Sequence, residues 1–149
     1  MDSDKAKTAY VKMFSRQMNC AQAVFSTFSG ELGIGSDIAL SIAQGFGGGM
    51  GHSDGTCGAV TGAYMALGLS QKASTENPRE NINKTYELMN EFNRRFTKLH
   101  GALNCTGLLG YDLSQPDELV KARDSGVFTT KCPEFVKDAA GIVEDLLKK

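Results

Sequence analysis

Apolar residues recur at three- and four-residue spacing along most of this chain, and no stretch holds a sustained apolar/polar alternation, so the pattern predicts helices and no sheet. The clearest run is Ile82, Tyr86, Met89, Phe92, Phe96 and Leu99, with Glu, Asn, Arg and Lys opposite; it predicts one long helix from Pro78, just after Asn77, to Gly101. Ahead of it, Ala6, Tyr10, Met13 and Phe14 mark a first helix capped by Asp2 or Ser3 and reaching about Gln17. Asn19 with Gln22 three residues on resembles a capping box, which makes Cys20 the first residue of a second helix bearing Ala23, Val24, Phe25 and Phe28. Gly30, Gly33 and Gly35 end it. Ser36 opens a short helix through Ile38, Leu40, Ile42 and Ala43.

Beyond the long helix, Asn104 caps a short turn holding Cys105 and broken by Gly107 and Gly110, and Ser114 with Pro116 starts a helix to about Arg123. Gly126 to Thr130 reads as irregular or briefly extended. Cys132 precedes Pro133, at the N-cap of a last helix that buries Phe135, Val136, Ala139, Ile142, Val143 and Leu146. The expected fold is a compact all-α domain, residues 1–149, of about five to seven helices around a glycine-rich loop.

That loop is the organising stretch. Six glycines fall among the eleven residues from Gly45 to Gly55, a density no helix or strand interior tolerates, so the backbone is expected to take positive φ or to pass close to something. Asp54 or Thr56 caps the helix that follows, with Cys57 in its first turn. Gly58, Gly62 and Ala66 repeat every fourth residue beside Ala59 and Ala63, giving a face almost without side chains. Each interior glycine costs roughly 1 kcal/mol relative to alanine. The compensating gain is expected from close approach of another backbone or of a bulky inorganic group; a second copy of the chain, packed as a homodimer, could also use this face.

All four cysteines, Cys20, Cys57, Cys105 and Cys132, fall at or next to a predicted helix start. Unpaired amides and the macrodipole there favour an anion, and such positions lower a cysteine pKa below its free value of about 8.5. Core packing alone gives cysteines no preference for helix starts. If the four sulfurs meet, their repulsion has to be relieved by a metal or cluster, or by disulfide pairing. No C-x-x-C pair occurs, so neither a thioredoxin-like motif nor paired zinc knuckles are indicated, while dispersed single cysteines can still assemble an all-cysteine site for zinc or an iron–sulfur cluster.

Composition narrows the setting. The chain has 149 residues, a net charge of -1 and 41% hydrophobic residues, ordinary values for one folded domain. Without a basic run, nothing points to nucleic acid or an anionic membrane. No apolar leader and no run of about 18 apolar residues occurs, so a cytoplasmic protein that does not insert in a membrane is expected. In that reducing compartment four cysteines favour thiol or metal chemistry over structural disulfides.

The sequence Cys57-Gly58-Ala59-Val60-Thr61-Gly62 matches a CGAxxG motif, with one cysteine before it and two after. In this the whole chain resembles the C_GCAxxG_C_C family of small bacterial and archaeal proteins. The resemblance implies a redox-active protein, often encoded near transporter genes, whose four cysteines would be Cys20, Cys57, Cys105 and Cys132.

From these residues the expected site has Cys57, Cys20, Cys105 and Cys132 as redox-active or metal-ligating thiols, with Cys57 central. Gly48 and Gly49 of the loop, together with Gly58 and Gly62 of the helix, lie against them or against a bound iron–sulfur cluster, the loop amides hydrogen-bonding sulfur. The alternative is a binding module with a structural four-cysteine zinc site, associated with a transporter. His52 is a candidate proton donor or extra ligand, although a histidine in a polar loop is more often idle; His100, in the last turn of the long helix, is structural. The loop lacks the strand before it and the Gly-Lys-Ser/Thr ending of a phosphate site. Asp112, Asp117 and Glu118 read as caps rather than an acid/base pair.

Overall fold

The computed structural model describes residues 3–148, and among these it is all-α, with no strand and one isolated bridge between Thr56 and Asn104. Helix α1 (Asp4–Phe14) starts at Ser3, whose Oγ accepts from the Ala6 amide at 3.2 Å; Asp2, the other expected cap, lies outside the described residues. It ends earlier than its pattern suggests, because Arg16 takes a left-handed φ of 66°. Ala6, Ala9 and Met13 are buried, while Phe14 is 57% exposed and stacks on Tyr10 with ring centroids 5.8 Å apart.

Helix α2 (Cys20–Ser29) begins with the expected capping box: Asn19 Oδ1 accepts from the Gln22 amide at 2.9 Å and Gln22 Oε1 from the Asn19 amide at 3.0 Å. Helix α3 (Ser36–Ala43) runs into a 3-10 turn at Gln44–Phe46. Next, α4 (Gly47–His52) winds left-handed: Gly48, Gly49, Met50 and Gly51 all have φ between 61° and 73°, and His52 has φ 64°. A left-handed residue costs roughly 1–2 kcal/mol unless it is glycine, which explains three of these positions and leaves Met50 and His52 strained.

Helix α5 (Gly58–Gln71) is buried almost all round and packs most closely on α2. A Cβ at Gly62 would lie 2.7 Å from the Ala21 carbonyl oxygen and 3.1 Å from Val24 Cβ. The side-chain-free face is therefore filled by the backbone of α2, and it is not open to a second copy of the chain.

Helix α6 (Pro78–His100) has the expected bounds, but only Phe92 and Phe96 of its apolar stripe are buried; Ile82 and Tyr86, in its first half, are exposed, and so is Leu99 in its last turn. Helix α7 (Cys105–Leu109) is short, α8 spans Pro116–Ser125, and Val127–Thr130, expected to be irregular, is a helical turn, α9, after left-handed Gly126. Helix α10 (Cys132–Leu147) lies against α1, α5, α2 and α6, burying Val136, Ala139, Ala140, Ile142 and Val143. His100 Nε2 meets Asp138 Oδ2 at 2.9 Å, with the ring against Phe96 and Phe135, so this histidine ties α6 to α10. No described helix is long and apolar enough to cross a membrane.

Candidate functional site

All four cysteines line one cavity of about 390 Å³, although up to 112 residues of chain separate them. Cys20, Cys105 and Cys132 are the first residues of α2, α7 and α10; Cys57 is the N-cap of α5, one position earlier than expected, and neither Asp54 nor Thr56 caps that helix. Cys132, expected at the N-cap, is instead inside its helix, with Lys131 preceding it and no side-chain cap.

What brings Cys57 beside Cys105 is a short pairing of two loops. The Cys57 amide donates to the Leu103 carbonyl at 2.7 Å, and Thr56 bridges Asn104. Asp54, with φ 61°, turns its carboxylate onto α7, where Oδ1 accepts from the Thr106 amide at 3.2 Å and from the Thr106 hydroxyl. Asn104 completes that cap by accepting from the Gly107 amide at 3.2 Å. The role of Asp54 was not legible from helix-start rules; the Asp54-Gly55 dipeptide marks a turn, and aspartate is one of the residues that tolerates left-handed backbone.

Three of the sulfurs form a chain of neighbours, Cys57 interacting with Cys20 on one side and with Cys105 on the other. Amides add to it: those of Ala21 and Gly48 donate to Cys20 sulfur, and that of Ala59 to Cys57. Cys132 stands apart from this chain, close enough to Cys20 and Arg16 for their charges to act on it, and it is the least buried of the four. Each cysteine is a free thiol.

The glycines fit around these atoms. A Cβ at Gly58 would fall 2.3 Å from Cys20 Sγ, and one at Gly49 would fall 3.0 Å from Cys105 Sγ. Gly48 is where the His52 ring packs, 2.4 Å from the position a Cβ would take. Gly62 faces Ala21 and Val24 and touches no sulfur. His52 lines the cavity with its ring exposed to solvent.

Helix-start placement was expected to make thiolates, and the structure reverses that expectation. The hydrogen bond donated to Cys105, then burial and the Cys105 charge, push Cys57 up to about 12, against the bond accepted from Cys20 and the Ala59 amide. Donation to Cys57, burial and the Cys57 charge hold Cys20 well above its ordinary range despite two amides. Burial and the Cys20 charge push Cys132 up to about 12, with Arg16 opposing. A helix dipole acts over its first turn only, while dry surroundings and neighbouring thiols penalise every added negative charge. Among the described residues, no group of three or more His, Cys, Asp or Glu side chains is disposed to hold a metal ion. The sulfurs face one another in sequence.

Residues 18–146 match the model of the family described as "Putative redox-active protein (C_GCAxxG_C_C)". The chain belongs to this family. It is also similar to an uncharacterized protein of Archaeoglobus fulgidus, 28% identical over 154 aligned positions that cover 99% of this chain and 96% of that one. No solved structure matches. The matched span contains all four cysteines of the cavity and begins just before the capping box that places Cys20.

Proposed function

We propose that the chain is a cytoplasmic, single-domain thiol redox protein in which Cys57 alternates between dithiol and disulfide forms with Cys20 or Cys105. The observation that carries this reading is the position of Cys57 between Cys20 and Cys105 on one cavity wall, interacting with both, which makes either neighbour a candidate partner for it. Closing one pair makes one S–S bond and releases two protons and two electrons, which an oxidised partner disulfide accepts. The raised thiol pKa values favour the protonated, reduced form at rest, and a reducing compartment maintains it.

Treating the native reduced chain with a small excess of dithiodipyridine, then counting thiols and mapping disulfides by mass spectrometry, tests the reading. Two thiols should be lost, with Cys57 in every disulfide found. Four unreacted thiols, or a disulfide between Cys105 and Cys132 that omits Cys57, would overturn it.

Ligation of an iron–sulfur cluster is the second reading, favoured by one observation: four cysteines and three sulfur-directed amides surround a single cavity. Cys20, Cys57, Cys105 and Cys132 would be its holders and the group would supply one-electron transfer, but the sulfurs as placed are not disposed to hold a metal ion, so this reading requires them to draw together. Anaerobic purification with iron, sulfide and zinc analysis separates the readings. Stoichiometric iron and sulfide with broad visible absorption establishes the cluster, a colourless zinc protein the structural metal site, and a metal-free dithiol the first reading.

A further inference from the structure

The thiols occupy only part of the cavity wall. Met13, Leu108, Leu113, Phe128 and Phe135 supply an apolar remainder, and a volume of about 390 Å³ is near the lower end for sites that enclose small organic molecules. Two formally charged side chains reach this wall, Arg16 and Arg123, and both are cations; no aspartate or glutamate lines it. In a chain whose net charge is -1 that bias is local. Among the described residues neither arginine makes an ion pair, whereas Arg94 and Arg95 both bind Glu91. Arg16 sits there at the cost of a left-handed backbone, in the connection leading from α1 to Cys20. An apolar body beside thiols, with unpaired guanidinium groups at the exposed rim, describes the complement of one class of molecule.

Resting on the dithiol reading above, the geometry points to a small organic disulfide with an apolar body and an anionic, carboxylate-bearing end as the substrate of this cavity. A cysteine sulfur attacks one sulfur of the ligand, forming a mixed disulfide, and the other ligand sulfur leaves as a thiol carrying the proton the cysteine gave up. A neighbouring cysteine then attacks the protein sulfur of that mixed disulfide, and the second ligand sulfur leaves with the second proton. The ligand gains two electrons and becomes two thiols, and the cysteine pair loses two and becomes a disulfide. Protons and electrons balance without a further reactant.

The probes are dithiodibutyrate, a dianion, and its neutral bis-amide, which have the same S–S chemistry. With the native full chain at neutral pH, the dianion should oxidise two thiols with a rate that saturates in probe concentration, and its specificity should exceed that of the bis-amide by about tenfold, the size of two screened charge pairs. Arg16→Gln/Arg123→Gln should remove most of that preference, bringing the dianion's specificity down to within about twofold of the bis-amide's, as should high salt. Equal rates for the two probes, or a preference that survives the double substitution, overturn the inference. If in that case dithiodipyridine still closes a Cys57 disulfide, the dithiol reading stands alone. If no reagent closes a Cys57 disulfide, that reading fails and this one with it.

Discussion

Gly62 of α5 meets the backbone of α2 closely, and replacing that glycine with alanine tests whether the site's scaffold is built as described. The new Cβ would sit 2.7 Å from the Ala21 carbonyl oxygen and 3.2 Å from Ala21 Cα, well inside the 3.4 Å at which such contacts become ordinary. Overpacking costs about 1–3 kcal/mol, and because the obstructing atoms belong to a helix backbone that cannot rotate aside, the upper end applies. Alanine in a helix interior returns about 1 kcal/mol relative to glycine. The net loss is about 2 kcal/mol, and at about 2–4 °C per kcal/mol for a chain of this size, Gly62→Ala should melt about 4–8 °C below the parent. Thermal unfolding of the reduced chain followed by far-ultraviolet circular dichroism measures this. Gly58→Ala is the companion: its Cβ would fall 2.3 Å from Cys20 Sγ, so it should displace that sulfur and slow closure of the Cys20–Cys57 pair, which Gly62→Ala leaves intact. A Gly62→Ala chain as stable as the parent, or more so, would show that the two helices do not approach through their backbones, and the placement of Cys20 against Gly58 would lose its support.

Three further outcomes follow from the same structure. Cys57 is raised in the folded state, so the stability it contributes is full below the unfolded thiol value of about 8.5 and is lost as pH rises toward about 12. Denaturant unfolding of the reduced parent should weaken over that alkaline range more steeply than that of Cys57→Ser; superimposable profiles would refute the buried-thiol account. For Asp138, burial opposes ionisation, but the hydrogen bond and charge of His100 outweigh it and hold the carboxyl below its usual range. Its stabilising effect is therefore present above the ordinary aspartate value of about 3.9 and lost as pH falls through the folded value. His100→Gln should cost about 1–3 kcal/mol near neutrality, with the gap from the parent narrowing below about pH 4; a gap that widens on acidification contradicts the pairing. Asp54→Ala removes the acceptor for the Thr106 amide and hydroxyl, and should cost about 1–2 kcal/mol while slowing closure of Cys57 with Cys105. A loss of stability without any change in that thiol pair would show that Asp54 braces α7 alone.

The local signals were legible from residues near one another in sequence. The capping box that makes Cys20 the first residue of α2, Pro78 at the start of α6, Gly101 at its end, and the need for positive φ between Gly48 and Gly51 all depend on backbone geometry within a few positions. So did the all-α class, since it follows from side-chain period. That four cysteines share a helix-start context was visible in the same way.

What the spacing did not contain was which surfaces meet. The small face of α5 could have served a cluster, a second copy or another helix, and only packing against Ala21 and Val24 decided for α2. Ile82, Tyr86 and Leu99 share the periodic pattern of a buried face, yet no other described element covers them. The pKa values turned for the same reason. Helix starts favour thiolates through local dipoles, but the sulfurs come together on one cavity wall where burial and neighbouring thiols oppose charge, and that environment is made by residues from α2, the loop after α4, α7 and α10 at once. Sequence determined where most of the helices begin, because capping is short-ranged; the tertiary structure alone decided that four of those beginnings open onto one cavity, because that depends on contacts between segments far apart in the chain.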